Sequence, residues 1–152
     1  MKAKPKIYLD STVPSAYFDE RAPDRLRLTQ AFWKKRMRDF DPNISEIVIR
    51  EIRDTPDSIK RKRMEKLIEK LNVLELDLEA RDLAQEYVKY GVFQERYMAD
   101  ANHVAVAVAN RIGYLLSWNF RHLVKVKTRR EVNLINSLRG FDQIEIISPP
   151  EL

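Results

Sequence analysis

Apolar residues in this chain fall in short, separated runs, and the polar spacing between them shifts from strand-like to helix-like. "KIYL" (6–9) is a β-rich run that stops at Asp10-Ser11-Thr12, so it reads as a strand entering a turn. Pro14 suits the first turn of a helix capped by Ser11 or Thr12. Residues 23–40 carry a helical period with Leu28, Phe32 and Trp33 among the apolar positions, and Asp41-Pro42-Asn43 breaks it. Ser45 then caps a short helical stretch that ends at Thr55-Pro56. A helix over 56–71 starts from Asp57 or Ser58, "VLEL" (73–76) is a strand, and 78–91 is a helix closed by Gly91.

"DANHVAVAVANRIG" (100–113) alternates Val and Ala as a strand could. It is too long for an ordinary strand, opens with the cap residue Asp100 and closes at Asn110 and Gly113, so the pattern predicts a buried helix. "YLLSW" (114–118) is a strand, 128–140 a helix ending in Gly140, and "IEIIS" (144–148) a last strand. Short strands that are apolar on both faces and alternate with helices predict an α/β fold, a parallel sheet covered by helices. Ligands of such sheets bind beyond the carboxyl ends of the strands, at the topological switch point. That rule directs attention to Asp10, Asn119 and their neighbours.

Composition narrows the chemistry. At 152 residues the chain has the length of a single domain spanning 1–152. It has no cysteine and only two histidines, His103 and His122, which excludes disulfides and thiolate sites and leaves no multi-histidine zinc site. A metal here would be a hard ion held by oxygen. No run approaches the ~20 apolar residues of a membrane span. The opening "MKAKPKIYLD" lacks a signal peptide's apolar stretch, so the expectation is a cytoplasmic protein with no membrane partner. The net charge of +5 is compatible with a polyanionic partner and gathers in 33–39, 60–66 and 121–130. Any of these clusters suits a solvated helix face. The third differs, because it follows directly from the strand at 114–118.

Three carboxylates carry candidate chemistry. Asp10 ends the first strand and suits either a turn-forming aspartate or a site carboxylate. At about 100° per residue, Ile47, Glu51, Val48 and Ile52 share one arc of about 140°. A carboxylate inside an apolar stripe needs a partner, or must reach water past its packed stem. Asp100 can cap its helix and bind a cation at once, since a helix N-terminus favours the ionised form. His103, on the next turn, reads as a packing or supporting residue rather than a ligand. Three carboxylates brought together resist ionisation unless a cation lies between them, and Mg²⁺ or Mn²⁺ suits oxygen ligands. A metal-activated water would hydrolyse a phosphodiester with no catalytic histidine.

The segments "YLDSTVPSAY" (8–17), "ISEIVIREI" (44–52), "DANHVAVAVANRIGYLLSWNFRHL" (100–123) and "IEIISPPEL" (144–152) resemble the PIN-domain family, in particular its small VapC-type toxins. The resemblance covers essentially the whole chain. It implies an α/β/α sandwich with a parallel sheet of strand order 3-2-1-4-5, and Mg²⁺- or Mn²⁺-dependent endoribonuclease activity on RNA. Asp10, Glu51 and Asp100 correspond to three acidic site residues of the family, and all three are expected to hold the metal. Asn119 stands where many members carry a fourth acid, and Ser11 and Ser117 match small hydroxyl positions beside the site. An amide oxygen can accept from a metal-bound water but brings no charge, so retention of a second metal should be weaker. Arg121, His122, Lys125 and Lys127 are placed to steer the RNA backbone. The resemblance further implies a cognate antitoxin and a homodimer. The rival reading is a non-catalytic RNA- or protein-binding domain on the same scaffold, which Asn119 favours. A phosphoacceptor receiver domain would need paired acids at the first strand end, and "LDSTV" offers one.

Overall fold

A computed structural model describes residues 3–152 and leaves Met1 and Lys2 outside. Strand β1 (Lys6–Leu9) is followed by helices α1 (Thr12–Ala16) and α2 (Pro23–Lys35) and by strand β2 (Asp41–Ser45). Helices α3 (Glu46–Arg53) and α4 (Ser58–Ile68) lead to β3 (Asn72–Leu74), and α5 (Leu78–Lys89) and α6 (Met98–Ala109) lead to β4 (Tyr114–Leu116). Helix α7 (Val126–Leu138) and strand β5 (Glu145–Ile147) complete the chain's regular elements. The five strands form one all-parallel sheet in the order β3-β2-β1-β4-β5, flanked by helices, as the resemblance implies.

Strand β2 is an addition to the pattern read from sequence. Asp41-Pro42-Asn43 does end the preceding helical region, but it goes on to form a strand between β1 and β3. Asp41 N–H donates to Pro5 O at 2.8 Å on the β1 side, so the nitrogen of Pro42 faces the other way. On that side β3 starts only at Asn72, opposite Asn43. The missing donor is therefore not needed, which is how an interior strand begins with a proline. Helix α2 also differs in its buried face: Thr29 and Phe32 are buried, whereas Leu28 is exposed. Helix α6 begins at Met98 rather than at Asp100, with Tyr97 at its cap position and Asp100 within the first turn. At its other end the left-handed residue is Arg111 (φ 58°), not Gly113, while Gly91 and Gly140 take that conformation after α5 and α7 (φ 79° each).

Ile7, Leu9, Ile44, Leu115, Leu116 and Ile146 are buried in the sheet, and α6 contributes Ala101, Val104, Ala105, Val106, Ala107 and Val108. Burial on nearly every side explains why α6 shows Val/Ala alternation instead of an amphipathic stripe. Among the described residues no helix is long and apolar enough to cross a membrane. The strand order reverses between β1 and β4, so their carboxyl ends open the crevice where such sheets bind ligands.

Candidate active site

Strand register sets the centre of the site. Leu9 pairs with Leu116, so the next residues, Asp10 and Ser117, leave adjacent strands side by side. Backbone bonds extend this pairing: Asp10 N–H donates to Leu116 O at 3.2 Å and Ser117 N–H to Ile147 O at 2.9 Å. The Ser117 hydroxyl donates to Asp10 Oδ2 at 2.5 Å. Asp10 Oδ1 accepts from Thr12 N–H at 3.0 Å and from the Thr12 hydroxyl. Thr12 Oγ1 in turn accepts from Trp118 N–H at 2.8 Å, tying the β1 and β4 exits together. Asp10 is 3% exposed. Burial pushes its carboxyl above the ordinary value, against the pull of His103, Ser117 and Thr12.

Glu51 comes to the site on α3, whose start is fixed by Ser45: its hydroxyl oxygen accepts from Ile47 N–H at 3.2 Å. Ile47, Val48 and Ile52 are buried as the helical arc predicts. The partner that the arc demanded for Glu51 is His103, whose Nε2 lies 2.6 Å from Glu51 Oε1. His103 Nδ1 is 2.6 Å from the buried Tyr8 hydroxyl, which is 2.7 Å from Ser45 Oγ. A continuous hydrogen-bonded chain thus joins the cap of α3 to Glu51 on the same helix through β1 and α6.

The electrostatics of this chain are mutually supporting. Burial works against ionised His103, but Glu51's hydrogen bond and charge, followed by the charges of Asp10 and Asp100, outweigh it and raise the imidazole above its ordinary value. Burial likewise pushes Glu51 up, yet His103 outweighs it, with smaller help from Ser11 and Arg50, and holds the carboxyl low. Protonated, the imidazole would offset the charge of the nearby carboxylates. His103 is a buried supporting residue, as its place in the sequence predicts, and the particular partners Glu51 and Tyr8 were not legible there.

Asp100 behaves differently. Because α6 starts two residues earlier, its carboxylate does not cap the helix, and among the described residues it accepts no hydrogen bond. Burial first, then the charges of Asp10 and Glu51, push it up to about 6 against the opposing pull of His103. The charges of Asp10 and Glu51 thus both act on Asp100.

Asn119 follows Ser117 by two residues, and its N–H donates to Ser117 Oγ at 2.9 Å. Its side-chain oxygen accepts from His122 N–H at 2.9 Å, and its backbone oxygen from Leu123 and Val124 N–H at 3.0 and 2.9 Å. The amide therefore shapes the loop, with one lone pair of Oδ1 left over. Arg121, Lys125 and Lys127 are exposed on this loop and at the start of α7, while His122 is half-buried. The first turn of α7 carries no acidic residue, so its helix dipole adds to the local positive field.

The donor set is all oxygen, which suits a hard cation. Among the described residues no three or more Asp, Glu, His or Cys side chains gather into a ready cage for an ion. An ion that takes one or two carboxylates and keeps most of its water fits this arrangement, and that is the habit of Mg²⁺.

No protein-family model and no curated protein matches the chain. Solved structures do. VapBC2 from Rickettsia felis, bound to a DNA fragment from its promoter, superposes with a TM-score of 0.53 at 11% identity, over 92% of this chain and 96% of that one. VapC20 from Mycobacterium tuberculosis, a toxin that cleaves the sarcin–ricin loop, gives 0.58 at 15% identity, over 91% and 98%. DNA-bound VapBC from Salmonella typhimurium gives 0.53 at 18% identity, over 95% and 98%. Together with the strand order, these matches across nearly the full length give the chain the PIN-domain fold of the VapC toxin structures.

Proposed function

We propose that the chain is a metal-dependent endoribonuclease that hydrolyses RNA phosphodiester bonds and serves as the toxin of a toxin–antitoxin pair. What supports this reading is Asp10 at the exit of β1, at the switch point of a PIN-type sheet, with Glu51 and Asp100 close enough for their charges to act there. A Mg²⁺ or Mn²⁺ ion held by these carboxylates would stabilise charge on the phosphoryl oxygens and make a water more acidic. Asp10 is pre-set for such a role, because Thr12 and Ser117 fix both of its oxygens. Glu51 is oriented by His103, whereas Asp100 accepts no hydrogen bond among the described residues. Arg121, Lys125 and Lys127 would draw the phosphodiester backbone across the cleft. Asn119, Ser117 and Ser11 would shape its floor and hold water or substrate oxygens.

Cleavage of RNA with Mn²⁺ by wild type, Asp10→Asn and Asp100→Asn tests the assignment; equal activity in all three sinks it. The two-component VapBC neighbours support a cognate antitoxin as partner. Growth arrest on expression, relieved by the product of a neighbouring gene, is the corresponding cellular result, and unimpaired growth would point to a housekeeping nuclease. A second reading, a binding domain with a weakened catalytic centre, is favoured by one observation: the Asn119 amide oxygen engages the His122 backbone. That reading predicts no thermal response to Mn²⁺.

A further inference from the structure

From the ring geometry beside the carboxylates we infer that Tyr97 and His122 form a platform on which a base of single-stranded RNA stacks. This inference rests on the ribonuclease reading for its choice of RNA. The two rings are in contact at a tilt, with centroids 4.0 Å apart and planes inclined by 33°. Arg96 extends the group, its guanidinium carbon 4.9 Å from the Tyr97 ring centre. Both rings are half-buried, so each is anchored and keeps exposed surface.

Position makes the pair more than a packing contact. Tyr97 immediately precedes α6 and lies one turn before Asp100, while His122 lies three residues beyond Asn119. The platform thus bridges the two segments that bring Asp100 and Asn119 to the cleft. The His122 backbone is held from both sides: its N–H donates to Asn119 Oδ1 at 2.9 Å and its carbonyl accepts from Thr128 Oγ1 at 3.0 Å. Such pinning gives a stacking surface without an ordering cost on binding. Partial burial, with the charges of Lys125, Arg121 and Arg96, holds the imidazole below its ordinary value, so at neutral pH it presents an uncharged π-face. The same cations supply phosphate attraction around that face. Aromatic surface set among basic side chains is the chemistry by which proteins hold unpaired bases, and a duplex would offer no free base face here.

The test compares binding of a ten-nucleotide oligouridylate with that of an abasic ribose-phosphate chain of equal length, with Ca²⁺ replacing Mg²⁺. Wild type should bind the base-bearing chain about tenfold more tightly or better. Tyr97→Ala and His122→Ala should bind both chains alike, and Tyr97→Phe should keep the preference. A single 2-aminopurine in the oligouridylate should lose fluorescence on binding wild type, a readout that needs no variant to fold. No preference for bases in wild type, no quenching, or a preference untouched by the alanine substitutions would overturn the platform. A parallel cleavage assay in Mg²⁺ separates the two ideas: quenching without cleavage retains the platform and removes the nuclease, and cleavage without quenching does the reverse.

Discussion

His103 Nε2 stands 2.6 Å from Glu51 Oε1, with the imidazole 2% exposed and the glutamate side chain 37% exposed. This contact turns a costly arrangement, acids gathered at a sheet end, into a stable one. Removing the imidazole leaves the buried Tyr8 hydroxyl with one partner fewer and Glu51 without its hydrogen bond. His103→Ala should therefore destabilise the protein by about 3 kcal/mol, the lower end for breaking a buried pair, since Glu51 can regain water. Urea denaturation checks this, and Glu51→Gln should lose clearly less.

The same pair sets a pH window. His103 is raised in the folded state, so its contribution is fully present below its ordinary value of 6.5 and is lost as pH climbs through the raised value. Glu51 is lowered, so its contribution is present above its ordinary 4.5 and fades as pH falls through its lowered value. The stability advantage of wild type over His103→Gln should peak near pH 6 and shrink toward pH 9. A flat difference across that range would mean that folding does not shift the titration of the imidazole.

Asp100 predicts a slope of the same sign as His103, over a lower pH interval. Its folded value of about 6 exceeds the ordinary 3.8, so between these values the folded state binds more protons than the unfolded state. Stability of the metal-free protein should fall as pH rises through that interval. Asp100→Asn, which cannot ionise, should melt at a higher temperature than wild type at pH 8 and lose this advantage near pH 4. Thermal melts with chelator at both pH values decide it.

Much of this site was legible in sequence because it follows from periodicity. Asp10 ends an apolar run, and Glu51 falls on the Ile47–Val48–Ile52 arc, so strand-end and helix-face reasoning found both. β2 was not legible as a strand because Asp41, Pro42 and Asn43 are poor strand formers. Its pairing comes from neighbours distant in sequence, and Pro42 is tolerated only because β3 starts one position later. The cap role expected of Asp100 failed for a local reason: α6 adds Met98 and Ala99 at its start, and Tyr97 takes the boundary. The link from Ser45 through Tyr8 to His103 joins three elements, and nothing in their spacing announces it. Its one visible trace was an apolar stripe that needed a partner for Glu51.

Ser117 donates to Asp10 Oδ2 and accepts from Asn119 N–H, so it orients the carboxylate without itself needing to touch a metal. If Asp10 holds the metal as proposed, Ser117→Ala should lower Mn²⁺ affinity about 10- to 100-fold, the usual effect of removing a group that positions a ligand. Calorimetric titration with Mn²⁺ measures this directly. Thr12→Ala should act in the same direction, since Thr12 holds the other oxygen of Asp10.

The basic loop can be separated from the carboxylates by its salt dependence. Lys125 and Lys127 are exposed at the start of α7, and neither contacts Asp10, Glu51 or Asp100 through a hydrogen bond or ion pair among the described residues. If each meets one phosphate, its replacement by alanine removes one counterion-release contribution. The slope of log affinity against log salt should then fall in magnitude by about 0.7 per substitution for single-stranded RNA. The double variant should lose about twice that, because the two contacts are independent. Filter binding of an RNA oligonucleotide from 50 to about 300 mM salt, in Ca²⁺, gives the slopes. Unchanged slopes would place the RNA backbone elsewhere, with the basic surface of α4, including Lys62 and Arg63, the next to test.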